Sequence, residues 1–305
     1  RYPTECFPDN TRAWPASSSP AFHGRRASRQ RLSLWSGQMI SCCPLCKSGR
    51  QHAFNAKLLK KHAVEYYYCN TCGLLQTQEP YWLAEAYTET IGDADTGLVA
   101  RNQSIARKLA ALLYCCLDRQ GHYLDSAGGY GMLTRLMRDI GFDFYWHDEY
   151  CRNLFARGFE ADKLDGNVSA VTAFEVLEHV MDPLDFISNC LQGNATSTII
   201  LSTELFRGAP PAPADWWYYT PDTGQHVSFY QQRTLEFLAG KLSLRLYTHR
   251  NIHILTDRRI SSGLFRLMTG PASWLGYAWA RTRMPSRTFA DHLHICSQAN
   301  PAEQQ

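Results

Sequence analysis

Two cysteine pairs, Cys43-Pro-Leu-Cys46 and Cys69-Asn-Thr-Cys72-Gly73, stand 22 residues apart. Two thiolates three positions apart can grip one metal ion from a single tight turn, and a second such turn completes a tetrahedron of sulfurs. Four protein ligands leave no open position, so a zinc ion on Cys43, Cys46, Cys69 and Cys72 is expected to hold structure and perform no chemistry. Two unrelated turns or a redox disulfide are the competing readings, with Cys42 as a spare neighbour. A second group lies in LDSAGGYGMLTRLMRD, residues 124–139, where Asp125, Ala127, Gly129 and Gly131 precede an amphipathic run. Backbone this bare lets a ligand lie directly against it. A dinucleotide fingerprint would need a third glycine where Thr134 stands, so no pyrophosphate cradle is expected. Asp148 follows Gly131 by 17 residues, and a carboxylate can accept two hydroxyl hydrogen bonds at once. A third group is His179 in TAFEVLEHVMDPL and His226 in GQHVSFY. An imidazole of near-neutral pKa can take a proton from a reacting group.

The order Asp125-x-x-x-Gly129-x-Gly131 resembles motif I of the class I S-adenosylmethionine-dependent methyltransferases, commonly written (D/E)xGxGxG, with Ala127 at the place of its first glycine. The resemblance implies S-adenosylmethionine as cofactor, its methionine part against Asp125, Ala127, Gly129 and Gly131, and its ribose hydroxyls on Asp148. TAFEVLEHV resembles the (F/Y)xVLEH segment of a methyltransferase subgroup, which implies that Phe174 and Glu175 line the cofactor pocket. Glu178 is then either a solvated charge or a group facing cofactor or acceptor. Residues Gln225–Tyr230 are similar to the (E/Q)H(x)S(Y/F) segment of sugar C-methyltransferases and their relatives, which also carry an N-terminal zinc-binding module. The resemblance extends to shorter zinc-ribbon methyltransferases associated with bacterial polysaccharide and sugar modification. It implies methyl transfer, through oxygen or carbon, to a small-molecule or saccharide acceptor. His226 is the first candidate base, His179 the second, and Tyr87 an orienting residue. The alternatives are a nucleotide-keto-sugar C-methyltransferase specifically, or a non-catalytic methyltransferase-like binding module.

These residues need elements to position them. Ile105, Leu109, Leu112, Leu113 and Cys116 share one helical face. Beyond them the pattern alternates: strand HYLDSA, helix MLTRLMRDI, strand FDFYWHD, strand SAVTAFEV, a helix from the Asp182-Pro183 cap, and strand STIILST. Such alternation predicts an α/β fold with a doubly wound, mostly parallel Rossmann-like sheet, preceded by a small zinc ribbon. Trp216, Trp217, Tyr218 and Tyr219, after a proline-rich stretch, either wall the acceptor pocket or cover the sheet edge. Residues 259–283 read as a helix pair, and His253, His292 and His294 as structural residues on strands. The expected division is a basic tail over 1–38, the ribbon over 39–80, a helical lead-in over 81–118, the methyltransferase domain over 119–256 and a helical or strand extension over 257–305.

Charge narrows the partners. The formal net charge is +3, but residues 1–38 hold six Arg against Glu5 and Asp9, so residues 39–305 sum to −1. Nothing there suggests a nucleic-acid groove. The Pro-, Ser- and Arg-rich first stretch has neither a signal peptide's apolar region nor helical periodicity, and is expected to be disordered, with Met39 the natural start. No run of 18 apolar residues predicts a membrane span. The scattered remaining cysteines fit a reducing cytoplasm.

Overall fold

The computed structural model describes residues 42–88 and 95–299, so the expected tail over 1–38 lies outside the described residues. The described residues open with an antiparallel ribbon. Strands β1 (Gln51–Leu58) and β2 (His62–Tyr68) form a hairpin, and β3 (Leu75–Thr77) pairs with β2. A cysteine turn flanks each end of the hairpin, and the two turns have the same construction. Lys47 N–H donates to Cys43 O at 2.9 Å and Gly73 N–H to Cys69 O at 2.8 Å. Each turn closes in the left-handed region, at Lys47 (φ 64°) and Gly73 (φ 78°).

A short helix, α1 (Leu83–Ala86), and a long one, α2 (Leu98–Cys116), lead into the sheet. Helix α2 buries the predicted face, Ile105, Leu109, Leu112 and Leu113. Then come β4 (His122–Ser126), α3 (Met132–Ile140), β5 (Asp143–His147), β6 (Val168–Ala173), α4 (Pro183–Gly193) and β7 (Thr198–Ser202). Helix α4 begins as its cap predicts, with Asp182 Oδ1 accepting from Asp185 N–H at 3.0 Å and Pro183 in the first turn. After β7 follow β8 (Ser228–Phe229), α5 (Gln232–Lys241), β9 (Arg245–His249) and β10 (Ile252–Thr256). The helix pair expected over 259–283 is α6 (Ser262–Thr269) and α7 (Ser273–Arg283), and α8 (Thr288–Ala299) ends the described chain.

The main sheet runs β5-β4-β6-β7-β10-β9, parallel from β5 to β7, with β10 antiparallel to both β7 and β9. Its strands alternate faces residue by residue. Tyr123, Ala170, Ile200 and Ile254 point to one side, packing with side chains of α2, α3, α6 and α7. Leu124, Val171, Ile199, Leu201 and Leu255 point to the other, packing with α4 and α5. The sheet is therefore doubly wound, and burial of each such Leu or Ile contributes about 1.5–3 kcal/mol.

The ribbon is not a separate bead. Its sheet has the order β1-β2-β3-β8, so its fourth strand comes from beyond residue 80, far along the chain. Cys43, Cys69, Cys72 and Leu74 also join the same apolar cluster as α4 and α5. Tyr218 and Tyr219 are buried with Tyr66, Leu75 and Phe229 over the ribbon, whereas Trp217 is 72% exposed. The aromatic run thus mainly covers the ribbon sheet.

Two readings are corrected. His292 and His294 lie on helix α8, not on a strand; His253, in contrast, is buried on β10 as expected. The alternation in DHLHIC spans too few residues to distinguish a strand from a helix, and ion pairs settle it. Asp291, one turn into α8, receives Arg138 Nη2 at 2.7 Å and Arg135 Nη2 at 2.8 Å from α3. The second correction concerns the third strand, which ends at Ala173 and not at Val176, because the chain turns left-handed at Glu175 (φ 56°).

Burial alone would raise the Asp291 pKa, but Arg138 and Arg135 hold it below the usual carboxylate range. Its contribution to stability is therefore present above the ordinary Asp value and lost as pH falls through the depressed one. Asp291→Ala is expected to lower unfolding free energy by about 3 kcal/mol, because Arg138 stays buried with Asp143 as its remaining carboxylate partner and Nη2 loses its acceptor. Urea denaturation at neutral pH measures this, and the difference from wild type should shrink in acid.

Candidate active site

The glycine turn joins β4 to α3 and opens into a cleft. Its lining includes Asp125, Ala127, Gly129, Phe174 and Glu175, five of the seven residues expected at the cofactor. A Cβ at Gly129 (φ 55°) would meet nothing within 4 Å, so this peptide faces open space. That is the bare surface the sequence suggested. Gly131 (φ 83°) does not line the cleft; a Cβ there would approach Asn153 Oδ1 to 2.7 Å and Ala156 Cβ to 3.1 Å. Its lack of a side chain serves packing and the entry to α3.

Ala127 also adopts φ 57° and lines the cleft. The side chain therefore does not change the turn; it is strained into it. Ala127→Gly is expected to stabilise the fold by about 1 kcal/mol, read as a higher urea midpoint at unchanged slope.

Asp125 is fully buried and accepts from Thr172 Oγ1 at 2.7 Å and Thr134 Oγ1 at 3.3 Å. Burial pushes its pKa up to about 7. Asp148, just beyond β5, is not a lining residue of the cleft. Its carboxylate accepts from Gly129 N–H at 2.9 Å, Tyr150 N–H at 2.8 Å and Cys151 N–H at 2.7 Å, and so fastens the glycine turn to the next loop. Asp148→Ala is expected to weaken cofactor binding by roughly 1.5–3 kcal/mol, the range for hydrogen bonds to a charged partner. An unchanged dissociation constant in calorimetry would remove it from the site.

Sequence reasoning missed the far wall of the cleft. Leu98, Arg101, Asn102 and Ile105 of α2 line it, and their spacing i, i+3, i+4 and i+7 is one helical stripe. That spacing was the available signal. Arg101 Nη2 pairs with Asp95 at 2.7 Å, and its Nε stands 3.9 Å from Glu175. Glu175 Oε1 also accepts from Ser202 Oγ at 2.5 Å.

A second group forms where the segment before β8 meets the turn after β6. His179 and His226 stand edge to face with ring centroids 4.8 Å apart. Tyr87 OH is 2.9 Å from His179 Nδ1, and the Tyr87 ring stacks on Tyr150 at 6.5 Å. Tyr150 is held by Asp148, so the expected base, its neighbour and the orienting tyrosine are connected to the glycine turn. His226 Nδ1 donates to Tyr218 O at 2.7 Å, which leaves Nε2 with a lone pair. Burial pushes His226 down to about 4 and His179 to about 3, so both rings are neutral at pH 7 and lie well below the near-neutral value expected from sequence. Glu178 is completely buried and pushed up to about 8 by burial and by Glu175.

The ribbon positions this group. Thr77 N–H of β3 donates to Val227 O at 3.0 Å, and Val227 N–H donates to Glu178 O at 2.8 Å. Ser228 Oγ donates to Val180 O at 2.6 Å, and Gln76 Nε2 to Met181 O at 2.8 Å. From the lead-in, Trp82 Nε1 donates to Gly224 O at 2.8 Å and Gln225 Nε2 to Ala86 O at 2.8 Å.

The four cysteine sulfurs lie within 4.8 Å of one another, with Cys43 to Cys72 at 3.6 Å and Cys46 to Cys69 at 3.4 Å. All four are free thiols, and Cys42 stays outside the cluster. A regular tetrahedron with zinc–sulfur bonds of about 2.3 Å has sulfur–sulfur edges of about 3.8 Å, so the donors fit that ion. The Cys43 and Cys72 sulfurs share a hydrogen bond in which either can donate, and this pulls Cys43 down to about 5 and raises Cys72.

No helix among the described residues is long and apolar enough to cross a membrane. A search of curated proteins found no match to the chain. Similar solved structures include TnmH, with 18% identity and a TM-score of 0.40 over 58% of this chain and 60% of that one. Another is CalO1, a methyltransferase of calicheamicin biosynthesis in its SAH-bound form, with 14% identity and a TM-score of 0.38 over 57% of this chain and 61% of that one. The magnesium protoporphyrin IX methyltransferase of Synechocystis PCC 6803 shows 16% identity and a TM-score of 0.35 over 58% of this chain and 94% of its own. The chain thus spans about 60% of the length of the first two. A family described as a methyltransferase domain matches residues 100–249, which run from α2 through β9 and contain the glycine turn, Asp148 and both histidines. Residues 100–249, just under half of the chain, are thus similar to a methyltransferase domain.

Proposed function

We propose that the chain transfers a methyl group from S-adenosylmethionine to a small-molecule acceptor, finely read as a saccharide, which loses its proton beside His226 and His179. The observation that carries this is the continuity of the two sites: Asp148 holds both the Gly129 turn and the Tyr150 backbone, Tyr150 stacks on Tyr87, and Tyr87 reaches His179. When bound, S-adenosylmethionine supplies an electrophilic methyl group. The open Gly129 peptide leaves room for the cofactor in the cleft that Asp125, Glu175 and Arg101 line.

The chain's own contribution is orientation and proton management. In-line placement of an acceptor lowers the barrier without strong acid or base. The Nε2 lone pair of His226, fixed by the bond to Tyr218 O, is the nearest feature suited to an acceptor proton, with His179 behind it and Tyr87 orienting. A saccharide is supported by the likeness of the Gln225–Tyr230 segment to sugar methyltransferases. Structural zinc on Cys43, Cys46, Cys69 and Cys72 belongs to the same reading, supported by the sulfur geometry. A non-catalytic module is not favoured, because Ala127 takes up the left-handed turn and leaves the cleft open.

Calorimetry with S-adenosylmethionine on zinc-loaded protein, followed by transfer of a labelled methyl to a panel of saccharides and other hydroxyl compounds, tests the proposal. Tight cofactor binding with label in a saccharide is expected. Well-folded protein that binds no cofactor would refute it.

A further inference from the structure

Glu178 is wholly buried, yet neither oxygen of its carboxylate has a hydrogen-bond partner. The nearby Tyr218 hydroxyl, 3.3 Å from Thr203 Oγ1, favours the ionised form without completing its shell. A buried carboxylate lacking donors is costly, and protonation is no remedy, since a carboxylic acid also needs partners. The surrounding charges oppose one another: Glu175 repels it more than Arg101, itself paired with Asp95, attracts it.

The groups beside it offer lone pairs. His226 Nδ1 donates to Tyr218 O at 2.7 Å, so its Nε2 carries no hydrogen. His179 Nδ1 lies 3.2 Å from Gln225 O, a carbonyl that can only accept. That nitrogen therefore holds the hydrogen and shares it with the Tyr87 oxygen at 2.9 Å, which leaves His179 Nε2 bare as well. One carboxylate and two imidazoles thus converge, each offering one ligand atom within 4.8 Å of the other two. Such a set has little to hold it together until positive charge sits among its members. Metal-bound histidines characteristically donate their other nitrogen to a backbone carbonyl, as both do here.

We propose that Glu178, His179 and His226 bind a divalent transition-metal cation whose remaining coordination positions take hydroxyl oxygens of the methyl acceptor. The inference rests on the acceptor site proposed above but changes the role of the two imidazoles there: their Nε2 lone pairs hold the ion, and a hydroxyl coordinated to the ion loses its proton to solvent. Two nitrogens and one carboxylate suit ions such as Mn²⁺, Fe²⁺, Co²⁺ or Zn²⁺ better than Ca²⁺. Bonds of about 2.1 Å place ligand atoms roughly 3–4 Å apart, so the observed spread needs only a small contraction of side chains. The site differs in kind from the cysteine cluster, since three protein ligands leave positions open.

The test counts ions. Metal analysis of the full chain as purified is combined with Mn²⁺ titration, read by loss of the free-ion electron paramagnetic resonance signal. Two divalent sites per chain are expected in total, falling to one in Glu178→Gln, with Mn²⁺ affinity lowered at least about 100-fold. His226→Ala should show the same loss. Glu178→Gln keeps nearly the same shape and leaves no acid to ionise, so folding should survive, and near-ultraviolet circular dichroism verifies it. A wild-type total of one ion, or equal Mn²⁺ binding by Glu178→Gln, would overturn the inference. Calorimetry with S-adenosylmethionine on the same samples separates the two readings: cofactor binding without the second ion removes the cation site alone.

Discussion

His226→Ala is expected to lower turnover by about 10²–10⁴-fold while the dissociation constant for S-adenosylmethionine stays near the wild-type value. The separation follows from geometry. The cofactor cleft is lined by the glycine turn, α2 and the residues after β6, and His226 is not among them. His226 stands instead against His179 and Tyr218, where truncation removes the Nε2 lone pair and the bond to Tyr218 O. Backbone pairing of Val227 and Ser228 should hold the segment in place, so the variant should fold. Burst and steady-state measurements with an accepted substrate give the answer. Full turnover would reduce His226 to a packing residue and shift the role to His179. Loss of cofactor binding together with folding would show that the segment is structural.

The parts of this site that were legible in sequence are those fixed locally. The glycine turn and the Asp182-Pro183 cap each depend on short-range backbone chemistry, and spacing alone reports them. The two CxxC turns are of the same kind. What sequence does not display is how distant segments meet. The pairing of β3 with β8 joins residues about 150 positions apart, and no periodicity in a two-residue strand announces it. The burial that moves His226 from near-neutral to about 4 comes from that pairing and from Tyr218, so residue type alone suggested a value that packing removes. Glu178 is the sharpest case. In sequence it reads either as a solvated charge or as a group facing cofactor or acceptor, and only the fold reveals a buried carboxylate whose hydrogen-bonding shell is incomplete. Helix α8 illustrates the reverse, a short alternating string whose shape is decided by Arg135 and Arg138 on α3.

Replacing a cysteine of the cluster should have the largest consequence, and not only within the ribbon. Cys72→Ser is expected to abolish binding of one zinc per chain, since a structural zinc of this type carries an apparent binding free energy of roughly 10–16 kcal/mol that is coupled to folding. A freely hung ribbon would unfold alone and leave the main sheet and its cleft intact. Here β3 supplies the edge on which β8 pairs, and Thr77 N–H holds Val227 O, one residue from His226. Gln76 binds both Met181 O and Ser228 Oγ, which ties the ribbon to the turn carrying Glu178 and His179. Loss of the ion should therefore release His226 and Glu178 together. Cofactor binding should survive in part, because the glycine turn and Asp148 are held by β4, β5 and α3. The expected pattern is turnover reduced at least as far as in His226→Ala, with cofactor affinity much less affected. Metal analysis, calorimetry and hydrogen exchange over residues 43–77 and 224–230 would reveal it. Protection lost over the first segment but kept over the second would show that β8 does not need the ribbon, and would sever the link between zinc and catalysis.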